Sequence, residues 1–235
     1  MKASIPRKAI SSWIYRHQAK ADVPGVPRFL SSSLFRKTAQ WFERANASFL
    51  DSLPCRQGCS SCCIGVFPVT ILDRQEIQRG LASCASKDRN RMQNQARELV
   101  NQLCVVEPRL MTSPFVDHWS DDEMDRLTTR FDSLPCPALE PDGRCGLHEF
   151  RPLVCRSMGI PSDDGLTVTG ACAVQTSVPL IRLSKSLRDE EDVLAGIEAQ
   201  QLTTLRMTLN VQGEELLLPY AFLSEIVTGS GGDTS

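Results

Sequence analysis

CRQGCSSCC, residues 55–63, decides how this chain is read. Four thiols, Cys55, Cys59, Cys62 and Cys63, fall within nine residues and cannot avoid one another in space. They hold a metal, form disulfides, do redox chemistry, or pack as small apolar side chains. Thiolates are soft ligands that suit zinc, copper(I) or iron–sulfur clusters. A C-x2-C step lets two sulfurs approach one ion from a tight turn. Cys59-x2-Cys62 has that spacing, and Cys55-x3-Cys59 is close to it. Gly58 gives the backbone freedom to wrap around an ion, and the small Ser60 and Ser61 leave room for amide N–H groups to point at sulfur. The adjacent pair Cys62 and Cys63 is the odd element. Neighbouring side chains are expected to diverge, so two metals, a multinuclear cluster, or one ligand plus a free thiol would explain the pair.

A second group follows: Cys136, Cys145, Cys155 and Cys172. The Pro141-Asp142-Gly143 turn is expected to bring Cys145 back towards Cys136. Arg151 and Arg156 flank Cys155, where cations would lower a thiol pKa and offset the charge of a thiolate cluster; the plainer alternative is two solvated arginines. His148 lies a C-x2-H step after Cys145, a spacing that suits either ligation or packing. His118 has no ligand-spaced neighbour beyond Asp117. Cys84 and Cys104 fall in or beside helical segments and read as core residues.

The chain of 235 residues, 41% hydrophobic, can bury a core without staples, which weakens a purely structural account of its cysteines. Net charge is -2 and the pI is about 6.0, which argues against a dedicated nucleic-acid binder. The charge is uneven: residues 1–50 carry +7 and the remainder -9. No run approaches the ~18–20 apolar residues of a membrane span, and MKASIPRKAISSWIYRHQAK lacks the apolar core of a secretory signal. The expected setting is therefore the reducing cytoplasm, where clustered cysteines read as metal or redox sites rather than disulfides. The basic, acid-free first 21 residues are also compatible with an organellar transit peptide; the plainer reading is a basic amphipathic arm.

The pattern predicts a mainly α fold, with helices packed around two irregular cysteine-rich metal-binding segments and minor β structure. Residues 21–29 form a Pro/Gly connector. Leu34, Trp41, Ala45 and Phe49 predict a helix over 32–50, running into the first cysteine group, where Pro54 and Gly58 stop it. A short helix is expected over 72–82, and a clearer one over 87–103 with Met92, Ala96, Leu99 and Leu103 on one face. Ser120 with Glu123 forms a capping box for a helix to about 131. Residues 166–170 are expected to form a short strand, 189–209 a long helix with Leu194, Ile197 and Leu205 inward, and 214–226 a shorter helix. The organisation is a basic arm (1–30), one cysteine-cluster domain (31–228, motif region 55–172) and a tail (229–235).

CRQGCSSCC followed by C-x8-C-G-L-H-E-F-R-P-L-V-C-R resembles the bacterial YkgJ-like cysteine-cluster family, the zinc- or iron-chelating proteins with a C-x-x-C-x-x-C-C signature. The resemblance covers residues 55–172, about half of the chain. It implies that Cys55, Cys59, Cys62, Cys63, Cys136, Cys145, Cys155 and Cys172 are metal ligands, and it sets Asp73 against an acidic position of the family. Two departures stand out. The first cysteine gap is three residues rather than two, and His148 falls where the family often has an aromatic residue. The family has no settled general activity, although a much longer flagellin lysine methylase carries a similar cysteine set.

Three functions remain in view. The first is a cytoplasmic metal-binding protein that holds iron, as an iron–sulfur cluster or otherwise, or zinc, in metal handling, redox or sensing. The second is a metal-dependent or iron–sulfur enzyme, although no P-loop, G-x-G-x-x-G turn or H-E-x-x-H helix is present. The third is a structural zinc module that presents a surface to a protein partner, with the basic N-terminal region as the candidate contact. No nucleic acid partner and no membrane span are expected.

Overall fold

The computed structural model describes residues 31–49, 59–163, 166–170 and 182–224. The basic arm, the 21–29 connector, Pro54, Gly58 and the 229–235 tail lie outside them. Helices dominate: α1 (Ser31–Ser48), α2 (Ile71–Ser83), α3 (Ser86–Val106), α4 (Asp121–Arg130), α5 (Leu153–Ser157), α6 (Lys185–Leu209) and α7 (Leu218–Ala221). Single 3-10 turns stand at Ser61–Cys63, Pro108–Met111 and His148–Phe150. Two short antiparallel ribbons complete the described residues, β1 (Pro68–Thr70) with β4 (Glu215–Leu217), and β2 (Ser162–Asp163) with β3 (Val168–Thr169).

Each helix follows from its sequence. Along α1, Leu34, Phe35, Thr38, Trp41 and Ala45 are buried at helical spacing, with Phe49 just beyond its end. That face lies on α5 and α6, and the Trp41 indole donates to the Leu187 carbonyl at 2.9 Å. The expected row of Met92, Ala96, Leu99 and Leu103 is the buried face of α3. The Ser120–Glu123 capping box is formed at the head of α4. A second box, Thr70 with Asp73, starts α2 directly from β1.

Two segments differ from expectation. The long helix α6 begins at Lys185 rather than 189, because the Ser184 hydroxyl accepts from the Leu187 N–H and caps it there. The predicted 214–226 helix is instead β4 followed by the single turn α7, as far as residue 224. The backbone N–H groups of Glu214 and Glu215 are both taken by the Asp117 carboxylate, at 2.7 and 3.2 Å. The Glu214 carbonyl accepts from Ile71 and the Glu215 carbonyl from Val116, each at 2.9 Å. With those groups committed across the fold, Glu215–Leu217 pairs with Pro68–Thr70, and helix resumes only where Pro219 permits it.

Two apolar cores result. The larger gathers β1, α2, α3, α4, β4 and α7; the smaller gathers α1 with Leu153, Ile160, Leu183 and Leu194. Glu198 lies on the buried face of α6, 6% exposed. Burial raises its pKa well above the usual carboxylate range, and the nearby carboxylates of Asp73 on α2 and Glu215 on β4 add to that. The folded chain therefore keeps a proton that the unfolded chain releases, so stability falls as pH rises above the ordinary carboxylate value. Glu198→Gln removes this dependence. In urea unfolding at pH 5 and pH 8, the variant is expected to lose less stability between the two than wild type and to match or exceed it at pH 8. A variant clearly less stable than wild type at pH 8 would show that the buried carboxyl is ionised and paired.

Candidate metal centre

The first cysteine segment is described from Cys59 onward; Cys55 and Cys172 lie outside the described residues. Cys62 and Cys63 end the 3-10 turn, closed by a hydrogen bond from the Cys63 N–H to the Ser60 carbonyl at 2.8 Å. In such a turn successive side chains are about 120° apart, not on opposite faces as in a strand. The Cys62 and Cys63 thiols are close enough to raise the Cys63 pKa, contrary to the expectation that neighbours diverge. The Cys59 thiol stands 4.0 Å from the Ser61 hydroxyl.

The chain then crosses the second segment. The Gly65 N–H donates to the Leu134 carbonyl and the Cys136 N–H to the Cys63 carbonyl, both at 2.7 Å. Gly65 has φ 107° in a spot with room for a side chain, so it is the backbone angle that calls for glycine. Beyond Cys136 the predicted turn is present. The Gly143 N–H reaches the Glu140 carbonyl at 2.9 Å, the Gly146 N–H reaches the Ala138 carbonyl at 2.7 Å, and Leu139 bridges Cys145. From α3, Arg91 holds this loop by an ion pair with Glu140 and a 3.4 Å contact to the Pro137 carbonyl.

Cys155 arrives on α5. The helix is fixed from two directions. The Leu153 N–H donates to the Asp73 carboxylate at 2.7 Å. Arg156 donates to the Arg151 carbonyl at 2.9 Å and to the Glu149 carbonyl, lies 3.7 Å from the Glu76 carboxylate, and stacks over the Phe35 ring at 5.5 Å. Its guanidinium is largely committed to this structural work. Arg151 is the arginine whose charge favours the thiolate of Cys145.

The five thiols of Cys62, Cys63, Cys136, Cys145 and Cys155 form one electrostatic neighbourhood. The contact with Cys62 does most to raise the Cys63 pKa, with burial and the nearby Cys136 and Cys155 adding to it. Burial pushes Cys136 up to about 12, opposed by the Ala138 N–H, which lies 3.4 Å from its sulfur. Burial likewise raises Cys155 well above its ordinary value, with Cys62, Cys136 and Cys145 contributing, and raises Cys145. The donor set fits zinc or iron: soft sulfurs, drawn from two chain segments, some facing backbone N–H groups. Among the described residues, no three Cys, His, Asp or Glu side chains are grouped so as to hold a metal ion.

The other candidates separate from this neighbourhood. His148 is exposed, with a pKa lowered by partial burial and by Arg151 and Arg156. His118 is exposed as well. Cys84 and Cys104 are partly buried against the larger core, and the Cys104 sulfur lies 3.3 Å from the Tyr220 hydroxyl. Asp73 is fully buried, and both its oxygens accept backbone N–H groups, from Thr70 and Leu153. Burial raises its pKa to about 6 against those hydrogen bonds. Sequence reasoning missed its link to Leu153 and the grip of Arg156 on Glu76. The T-x-x-D step from Thr70 to Asp73 marks a capping box, but nothing in the sequence marks Leu153 as its second partner.

Residues 54–173 match the CxxCxxCC family model, described as a "putative zinc- or iron-chelating domain". The chain belongs to that family. Comparison with curated proteins and with solved structures finds no match. In this CxxCxxCC protein the matched region takes in both cysteine segments and the helices α2 to α5 between and beside them. No helix among the described residues is long and apolar enough to cross a membrane.

One close contact behind the site is directly testable. A Cβ added at Gly80 on α2 would stand 2.7 Å from Phe150, in the turn between Cys145 and Cys155. Gly80→Ala is expected to displace that ring and to cost roughly 1–3 kcal/mol in urea unfolding. Unchanged stability would show that Phe150 is not seated against α2.

Proposed function

We propose that this chain holds zinc or iron through thiolates drawn from both cysteine groups. The observation that carries the reading is the 2.7 Å hydrogen bond from the Cys136 N–H to the Cys63 carbonyl, which brings the two groups together. Cys62, Cys63, Cys136, Cys145 and Cys155 are the ligands supported by proximity. Cys59 joins them by its place just before the Ser61–Cys63 turn, Cys55 by the family's signature, and Cys172 by its place in the matched region. The bound metal would neutralise clustered thiolates and tie the two segments together. Metal affinity of such a set depends on pH, because the thiols must lose their protons to bind.

The contact between the Cys62 and Cys63 thiols lets both serve one centre, an arrangement that suits an iron–sulfur cluster as well as a single ion. A reducing, cytoplasmic setting, in which thiolates persist, fits this reading. The YkgJ-like proteins are the group within which we place it, and metal handling, redox or sensing the roles that follow from a thiolate centre.

The test is anaerobic purification followed by measurement of zinc, iron and acid-labile sulfide. Wild type is expected to carry a stoichiometric amount of one metal. Cys63→Ser and Cys155→Ser should each lose most of it, while Cys104→Ser keeps it. Protein that carries no stoichiometric zinc or iron, or full loading in Cys155→Ser, would sink the proposal.

A further inference from the structure

We infer that α2 is the positioning element of this metal centre, with Asp73 and Glu76 setting the turn that carries Cys155. This rests on the metal-binding reading above. Cys155 is the third residue of α5, which has only five residues. A helix that short does not hold itself in water. Its first N–H groups lack partners within the helix, and the residue before it, Pro152, offers no capping side chain.

The cap is supplied from elsewhere. One oxygen of Asp73 accepts the Leu153 N–H at 2.7 Å, across 80 residues of sequence. The other accepts the Thr70 N–H at 3.0 Å, completing the capping box of α2. A single carboxylate thus caps two helices and sets their starting points against each other. Three residues further along α2, Glu76 faces Arg156 at 3.7 Å and also pairs with Arg79 at 2.7 Å. Arg156 in turn grips the Glu149 and Arg151 carbonyls. Asp73 and Glu76 therefore hold residue 153 before Cys155 and residue 156 after it. They act on its sulfur through the backbone.

Helix α2 is also tied to the first cysteine segment. It starts where β1 ends, only eight residues after Cys63. The place of the Cys155 turn relative to the first cysteine segment is thereby set through one regular helix. Sites built on regular elements hold their ligands more closely than sites built on loops.

Asp73→Ala tests this, with Thr70→Ala as the control. Thr70→Ala removes the hydroxyl half of the α2 capping box, the acceptor of the Asp73 N–H, and leaves the Leu153 contact in place. Two readouts separate positioning from stability in the full chain. The first is cobalt(II) titration, following the thiolate charge-transfer band, with zinc competition. The second is hydrogen exchange of peptides covering 150–157 in the metal-free protein. Asp73→Ala is expected to weaken zinc binding at least tenfold, to alter the cobalt spectrum, and to speed exchange at 150–157 at least tenfold. Thr70→Ala is expected to lower the unfolding midpoint while keeping the wild-type cobalt spectrum and exchange rate.

If Asp73→Ala behaves as Thr70→Ala in both readouts, the inference fails. If wild type takes up neither cobalt nor zinc, the metal-binding reading fails, and the exchange data alone decide whether α2 positions this turn. Should Asp73→Ala not fold, Glu76→Gln, which leaves both caps intact, is expected to weaken zinc binding threefold or more. Wild-type affinity in Glu76→Gln would then overturn the inference.

Discussion

Two backbone hydrogen bonds hold the site together: Cys136 to Cys63 and Gly65 to Leu134. They join segments separated by some seventy residues, and every thiol neighbourhood described above depends on that crossing. Their geometry requires the positive φ of Gly65, an angle that side-chain-bearing residues rarely adopt. The rest of the domain keeps this crossing in register. Helix α3 restrains the Cys136–Cys145 loop through Arg91, and α2 restrains the Cys155 turn through Asp73 and Glu76.

The thiols are held in a state of electrostatic tension. Burial raises the pKa of Cys136 and Cys155, the Cys62 contact does most to raise that of Cys63, and the neighbouring thiols add to each shift. A cation among them would oppose those shifts, because each thiolate then gains an attractive partner in a low-dielectric setting. Arg151 offsets part of the charge at Cys145. Arg156, which the sequence pairs with Cys155 by adjacency, is turned mainly to a carboxylate, two carbonyls and an aromatic ring.

Local pattern was enough for α1, α3 and α4, because each carries an apolar face of helical period or a capping box that can be read within one segment. It was also enough to single out the cysteines and the turn at Pro141–Gly143. It failed at Glu215–Leu217. There a run of glutamate and leucine suits a helix, and the deciding partners, Asp117, Val116 and Ile71, lie about 100 residues or more away. The same limit hid the scaffold of the site. The partners of Asp73 and Arg156 are backbone amides and carbonyls, which every residue possesses and no motif distinguishes. The start of α6 was missed for a smaller reason: its first turn carries a single apolar residue, Leu187, and the cap at Ser184 marks where it begins.

The β1–β4 ribbon sets an order on how this molecule can be built. Pro68 pairs with Leu217, roughly 150 positions later. Ribosomes deliver a chain from its N-terminus, so a nascent chain that has emerged as far as residue 172 already displays every candidate cysteine while β1 still lacks its partner strand. The crossing between Cys63 and Cys136 spans a shorter loop and costs less entropy to close. Assembly of the thiol cluster can thus precede completion of the larger core, which waits for β4.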